Sequence, residues 1–330
     1  MSEQQLSVKK QSRLVKPAIY AAVLVILIIL PSIIQSSFLM YVFTLTLIYI
    51  IAASSLRTIA LSGQVSLGHA GFMSIGAFTA GVLGQRFGWS PWATLPLGAF
   101  ATMAIAIIVG YPFARLRAIY FSMISLFFGI GILSLISVFQ KYTGGENGLV
   151  GIPSLFAGSY LANYYFFLGL TVISLLILWR FESCRIGLKL KSIAQSHLLA
   201  SSIGVDETGY RVMALAVGCF FVGLAGAGFA HYNIAISTSS FNLIASTNLL
   251  IYVLLGGIGS FVGPIIGTVI LIIIPELFRS LKSFSPYLSA GIMILVIFLI
   301  PQGVTSLPQM IKGWIIKLRE SRYVNHDARN

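Results

Sequence analysis

Leu61-Ser62-Gly63-Gln64-Val65-Ser66-Leu67-Gly68-His69-Ala70-Gly71-Phe72-Met73-Ser74-Ile75-Gly76 is the stretch on which the reading of this chain turns. It opens polar and glycine-rich, then becomes apolar with small residues, and long apolar blocks stand on either side of it. Such a segment breaks a membrane helix and exposes backbone polar groups, tolerable only where they line a cavity or are buried in protein. A helix restarting there turns its N-terminal N–H groups toward the break, an environment that favours an anionic group such as a carboxylate. Close helix packing through small residues is the competing reading. His69 divides the same way, between a hydrogen-bonded structural histidine and a substrate ligand, since ionisable groups at membrane depth tend to be functional. Ser62, Gln64, Ser66, Gly68 and His69 are therefore the candidate pathway residues.

The composition around this stretch excludes most other classes. Of the 330 residues 57% are hydrophobic and only 9% charged, with a mean hydropathy of +0.94. A soluble chain carries roughly 25% charged residues, so a cytosolic enzyme, a nucleic-acid-binding domain and a disordered protein are all ruled out. An all-α integral membrane protein remains. Apolar blocks long enough to span, about 20 residues, lie at 17–35, 38–60, 65–84, 92–114, 118–140, 163–180, 211–233, 243–279 and 285–305. The block 243–279 is too long for one straight span, and Gly256, Gly257, Gly259, Gly263 and Pro264 divide it into about 243–257 and 263–279. The expected architecture is a polytopic bundle of about ten transmembrane helices, some short or broken.

Charge sets the orientation. The formal net charge is +13. With both tails and the 181–210 linker in the cytoplasm, seventeen Lys and Arg fall inside and only Arg86, Lys141, Arg279 and Lys282 outside, a strong positive-inside bias. The expected organisation is a cytoplasmic tail at 1–16, one transmembrane domain at 17–305 with a cytoplasmic linker at 181–210, and a second cytoplasmic tail at 306–330. Cys184 and Cys219 are far apart and have no Cys or His at ligand spacing, so neither disulfide nor metal site is expected. The dipeptide Gly-Lys does not occur, which rules out the GxxxxGK[ST] phosphate cradle. No histidine pair or paired-carboxylate motif is present, so no cofactor and no enzymatic activity are expected. Only Glu276 among the eight acidic residues lies in an apolar block, a poor basis for ion coupling. A polytopic chain lacking both devices takes its energy from a partner.

Three further motifs carry expectations. Gly259, Gly263 and Gly267 fall four apart, the spacing of a helix-packing stripe. The outer loop Thr143-Gly144-Gly145-Glu146-Asn147-Gly148 is either a tight turn using positive φ or a docking and gating loop at the outer mouth. In the inner linker, Ile193, Leu199, Ala200 and Ile203 form the apolar face of one short amphipathic helix ended by Gly204. That helix either lies on membrane lipid or seats in a groove of a cytoplasmic partner.

SGQVSLGHAGFMSIGAF, TGGENGL, RIGLKLKSIAQSHLLASSIGVD, FFVGLAGAGFAHY and LLGGIGSFVGPIIG, in this order, resemble the permeases of branched-chain amino acid ABC importers, of the LivM-like kind. The resemblance implies that 17–305 is the permease domain of a heteromeric importer in the bacterial inner membrane: this chain, a second homologous permease, two cytoplasmic ATPase subunits and a periplasmic substrate-binding protein. It implies that residues 185–206 carry the short helix docking on the ATPases. The usual acidic residue and first alanine of that element correspond here to His197 and Leu199, while Ala200 and Gly204 are kept. Urea, amide and aromatic-acid importers use similar permeases, and a self-contained channel is the alternative from a different class.

Overall fold

The computed structural model describes residues 25–31, 36–277, 291 and 303–306. The 1–16 tail, most of the 17–35 and 285–305 blocks, and all but the first residue of 306–330 lie outside the described residues. The protein is an α-helical, multi-pass membrane protein. Among the described residues, the helices used below are α1 (Ser37–Ala60), α2 (His69–Phe87), α3 (Pro91–Ala114), α4 (Ala118–Val138), α5 (Tyr160–Ser183), α6 (Arg185–Gln195), α7 (His197–Ser202), α8 (Glu207–Asn233), α9 (Leu243–Gly256) and α10 (Gly263–Leu277). Six segments among the described residues are long and apolar enough to cross a membrane: α1, α3, α4, α5, α8 and Thr238–Gly256, which contains α9.

Local chemistry sets the boundaries. Pro91 opens α3, where its missing N–H costs nothing. Ser159, Ser196, Asp206 and Asn242 cap α5, α7, α8 and α9 by accepting from the N–H three residues on, the usual chemistry of an N-cap. The glycine cluster divides 243–279 into α9 and α10 as expected, with a turn at 257–262.

α2 is not among the six apolar segments, and its surroundings explain why. It packs against α8, α3, α4 and α9, and most of it, from His69 to Phe78, is buried. A helix clad in protein needs no apolar face for lipid. Its neighbours approach closely because they meet on glycine. An added Cβ at Gly98 would stand 2.7 Å from the Gly76 carbonyl oxygen and one at Gly223 would overlap Thr102, so α2, α3 and α8 join at Gly76, Gly98 and Gly223.

The bundle has two distinct ends. Arg57, Leu116, Glu182, Arg211 and Ile258 gather at one, called here the basic end: Arg57 bonds Glu182 and Ile258, Gln64 reaches Leu116, and Arg211 reaches Ala114. The opposite, loop end is closed by a two-residue antiparallel pair, β1 (Leu149–Val150) on β2 (Ala235–Ile236). His231 braces it. Its Nδ1–H donates to the Pro153 carbonyl at 2.7 Å, and Nε2 lies 2.7 Å from the Thr94 hydroxyl.

One expectation about packing is corrected. Gly259 is not part of a helical stripe with Gly263 and Gly267. It lies in the turn with nothing within 4 Å of an added Cβ. The close approach is made by Gly256, Gly263 and Gly267, which set α10 backbone to backbone against α9 at Gly257 and Tyr252. The four-residue spacing does not extend to Gly259 because the helix begins only at Gly263.

Candidate functional site: a groove between broken helices

The break at Leu61–Gly68 is held by serines from other helices. Val65 O accepts from Ser122 (2.7 Å), Leu67 N donates to Ser125 Oγ (3.1 Å) and Ala70 N donates to Ser246 Oγ (3.0 Å). Buried backbone groups need such partners. Ser246 lies in the first turn of α9, so the N-termini of α2 and α9 meet side by side.

Above this meeting point runs a groove between α4 and the 238–246 segment. Its open part is a cleft of ≈ 670 Å³ lined by Ile130, Leu133, Ser134, Ser137, Glu146, Thr238, Ser239, Asn242 and Leu243. Ile130, Leu133, Asn242 and Leu243 also line its lower part, with Leu67, Gly68, Gly71, Gly129 and Ser246. The lower part holds only ≈ 10 Å³, no more than about one water requires. Glycines close it: an added Cβ at Gly71 would stand 2.5 Å from Gly129 Cα, and one at Gly68 would overlap the Ser125 carbonyl. The groove is thus open at the loop end and shut at the helix N-termini.

Of the five candidate pathway residues, only Gly68 lines this groove. Ser62, Gln64, Ser66 and His69 are buried in the packing around it. Ser62 bonds Ile59 O, and Gln64 bonds Leu116 O. His69 Nε2 is 2.9 Å from Ser55 Oγ. Because that hydroxyl donates to Ala52 O, Nε2 carries the proton. His69 Nδ1 and Ser66 Oγ have no hydrogen-bond partner among the described residues. The groove's own polar residues, Ser134, Ser137, Thr238, Ser239 and Asn242, escaped the sequence reading because they sit singly in apolar helices or in an unremarkable Ser/Thr turn.

In the outer loop, Thr143 is buried and bonded to Ile136 O (2.6 Å). Gly144, Gly145 and Gly148 have φ of 73°, 63° and 76°, the turn expected from their sequence. The turn lays Glu146 into the cleft and leaves Asn147 exposed.

At the basic end, the linker departs from the expected single helix. Ser196, with extended φ and ψ, separates α6 from α7. Ile193 and Ala200 are both 2% exposed and face the protein. Leu199 at 69% and Ile203 at 75% are exposed, as is Leu198. The apolar face presented outward is thus Leu198, Leu199 and Ile203, a correction to the expected Ile193-Leu199-Ala200-Ile203 stripe. Gly204 has φ +78°, which suits the expected helix end.

An ionic cluster anchors this region. The Glu182 carboxylate receives Arg57 on both oxygens, at 2.5 and 3.0 Å, and Lys191 Nζ at 2.8 Å. Arg57 Nε donates to Ile258 O at 2.8 Å, and its guanidinium stands 5.7 Å from the Phe261 ring centre. The sequence singles out neither Arg57 nor Glu182. Their separation of 125 positions hid the pairing.

The comparisons with known proteins agree with this architecture. The family model described as "Branched-chain amino acid transport system / permease component" matches residues 38–301. The high-affinity branched-chain amino acid transport system permease protein LivM of Salmonella typhimurium is 30% identical over 289 residues, covering 79% of this chain and 68% of the relative. LivM of Escherichia coli is 29% identical over the same length. The permease protein LivH of Escherichia coli is 23% identical over 242 residues, 67% of this chain and 77% of the relative. No solved structure matches the chain. The chain belongs to the family of branched-chain amino acid transport system permease components.

Proposed function

We propose that this chain is one of two permease subunits of an ATP-driven importer that carries branched-chain or similar hydrophobic amino acids across the bacterial inner membrane. The groove between α4 and α9 is the observation that carries this reading. It combines the apolar Ile130, Leu133 and Leu243 with hydroxyls and one carboxylate, Glu146, a lining suited to a zwitterion with an apolar side chain. Its shut floor lies at two helix N-termini, where a substrate carboxylate is favoured once the gap opens. α4 buries only Phe121, Ser125 and Gly129. Its remaining face, including Met123, Phe127 and Ile130, is left for lipid and for the second permease, which completes the pathway.

In this reading the chain makes ten spans with both tails in the cytoplasm, and the basic end is the cytoplasmic one. The outer loop with Glu146 receives a periplasmic binding protein. Leu198, Leu199 and Ile203 dock on a cytoplasmic ATPase subunit, in the helix-in-groove manner. Purification of the tagged chain from its native membrane tests this. The expected result is recovery with a second permease and two ATPase subunits; recovery as a stable assembly of this chain alone would contradict it.

A further inference from the structure

We infer that Glu182, Arg57 and Lys191 are positioning residues that carry displacement of the α6–α7 elbow to α9 and hence to the floor of the groove. This inference rests on the proposed docking of ATPases at α7.

The route is continuous in the structure. α7 follows α6 across the single residue Ser196. Lys191 on α6 pairs with Glu182 at the end of α5. Glu182 grips Arg57 of α1 through two parallel bonds, and Arg57 holds the backbone of Ile258 in the α9–α10 turn. α9 and α10 are locked by glycine contacts at Gly256 and Gly263, so a displacement at Ile258 moves them as one hairpin. The far end of α9 brings Leu243 and Ser246 to the groove, and Ser246 holds the first turn of α2. Movement of α9 therefore reaches the place where the groove is shut.

The chemistry of the link is that of a fixed joint. A carboxylate gripped by a guanidinium fork is held in distance and direction, whereas apolar side chains slide past one another. Stability alone does not call for such a pair, since well-packed apolar residues commonly replace a buried ion pair without loss. Arg57 is 2% and Glu182 11% exposed, while Lys191 at 46% stands on the rim. A change at Lys191 therefore weakens the link without opening the core.

The assembled complex in proteoliposomes, with leucine and ATP, tests the inference. The double variant Arg57→Met with Glu182→Met is expected to assemble and hydrolyse ATP, with the ATP consumed per leucine rising about tenfold, within the usual range of coupling between sites. Lys191→Met is expected to raise that ratio less, and Lys191→Arg to restore it. Spin labels at Tyr120 and Leu254, both exposed, supply a readout independent of the substrate. Their separation is expected to change on ATP addition in the parent complex and to stay fixed in the double variant. A parent complex showing the ATP-driven change but accumulating no leucine would count against the substrate reading and leave the link supported. A parental ratio and parental distance change in both Met variants would overturn the link. Should the double variant fail to assemble, an unchanged ratio and distance change in Lys191→Met would overturn it equally.

Discussion

Arg57 is 2% exposed, and its guanidinium donates to Glu182 and Ile258 O and lies over Phe261. Removing one partner of a buried pair strands the other, at a cost of about 3–5 kcal/mol. Glu182→Ala is therefore expected to lower the thermal stability of the detergent-solubilised chain sharply, whereas Lys191→Ala, at the rim, should leave it nearly unchanged, as rim pairs contribute roughly 0–1 kcal/mol. Fluorescence-detected size-exclusion after heating measures both. Gly204 offers a different residue-scale test. An added Cβ there meets nothing within 4 Å, but φ is +78°, a conformation costing a non-glycine residue about 1–2 kcal/mol. Gly204→Ala should thus loosen the end of α7 through strain and reduce ATPase retention on the purified complex, with insertion unaffected. Retention equal to the parent would remove the role given to that helix end. His69 was legible as a buried, bonded histidine or a ligand; its partner Ser55 was not, because nothing in sequence singles out one serine among Ser54, Ser55 and Ser62 on adjoining turns.

At the scale of elements, most boundaries were written in the chain. Expected blocks at 38–60, 92–114 and 118–140 correspond to Ser37–Ala60, Pro91–Ala114 and Ala118–Val138, because apolar length is a direct consequence of bilayer thickness. The glycines and Pro264 located the α9–α10 turn. The inner elbow was misread because amphipathic spacing across 193–203 ignores a capping serine. Ser196 accepts from Leu199 N at 3.4 Å and restarts the helix, turning Ile193 and Ala200 inward while Leu198, Leu199 and Ile203 stay out. This makes two aspartate substitutions separable. Leu199→Asp should leave the permease folded and release the ATPases. Ala200→Asp should damage the elbow itself, since an unpaired charge would be buried. Limited proteolysis of the inner linker alongside ATPase co-purification distinguishes them; equal proteolytic sensitivity in the two variants would contradict the burial difference.

For the whole molecule, the partition of charge and the two ends of the bundle argue together. Arg57, Arg115, Arg117, Arg180 and Arg211 lie near the ends of helices that meet at the basic end, and the proposed orientation, with that end in the cytoplasm, follows from the positive-inside rule. Cysteine labelling tests this orientation simply, because Cys219 is fully buried and only Cys184 needs replacement. A cysteine at the exposed Asn147 should react with a membrane-impermeant maleimide added to the periplasmic side of spheroplasts; reaction only from the cytoplasmic side would invert the topology. The class of the protein was legible because composition, the missing nucleotide site and the motif order constrain the whole chain at once. The groove was not, because it is assembled from α4, the Glu146 loop and the 238–246 segment, whose proximity is a property of packing alone.

In the proposed function the chain moves amino acids only as part of an ATP-driven assembly. Uptake of labelled leucine into proteoliposomes, with the permease pair alone and with the ATPase subunits, binding protein and ATP added, measures it directly. The expected result is accumulation above the external concentration only in the complete, ATP-supplied system and no leucine flux through the permeases by themselves. Leucine equilibrating through this chain without ATPases or ATP would contradict it and identify a self-contained channel instead.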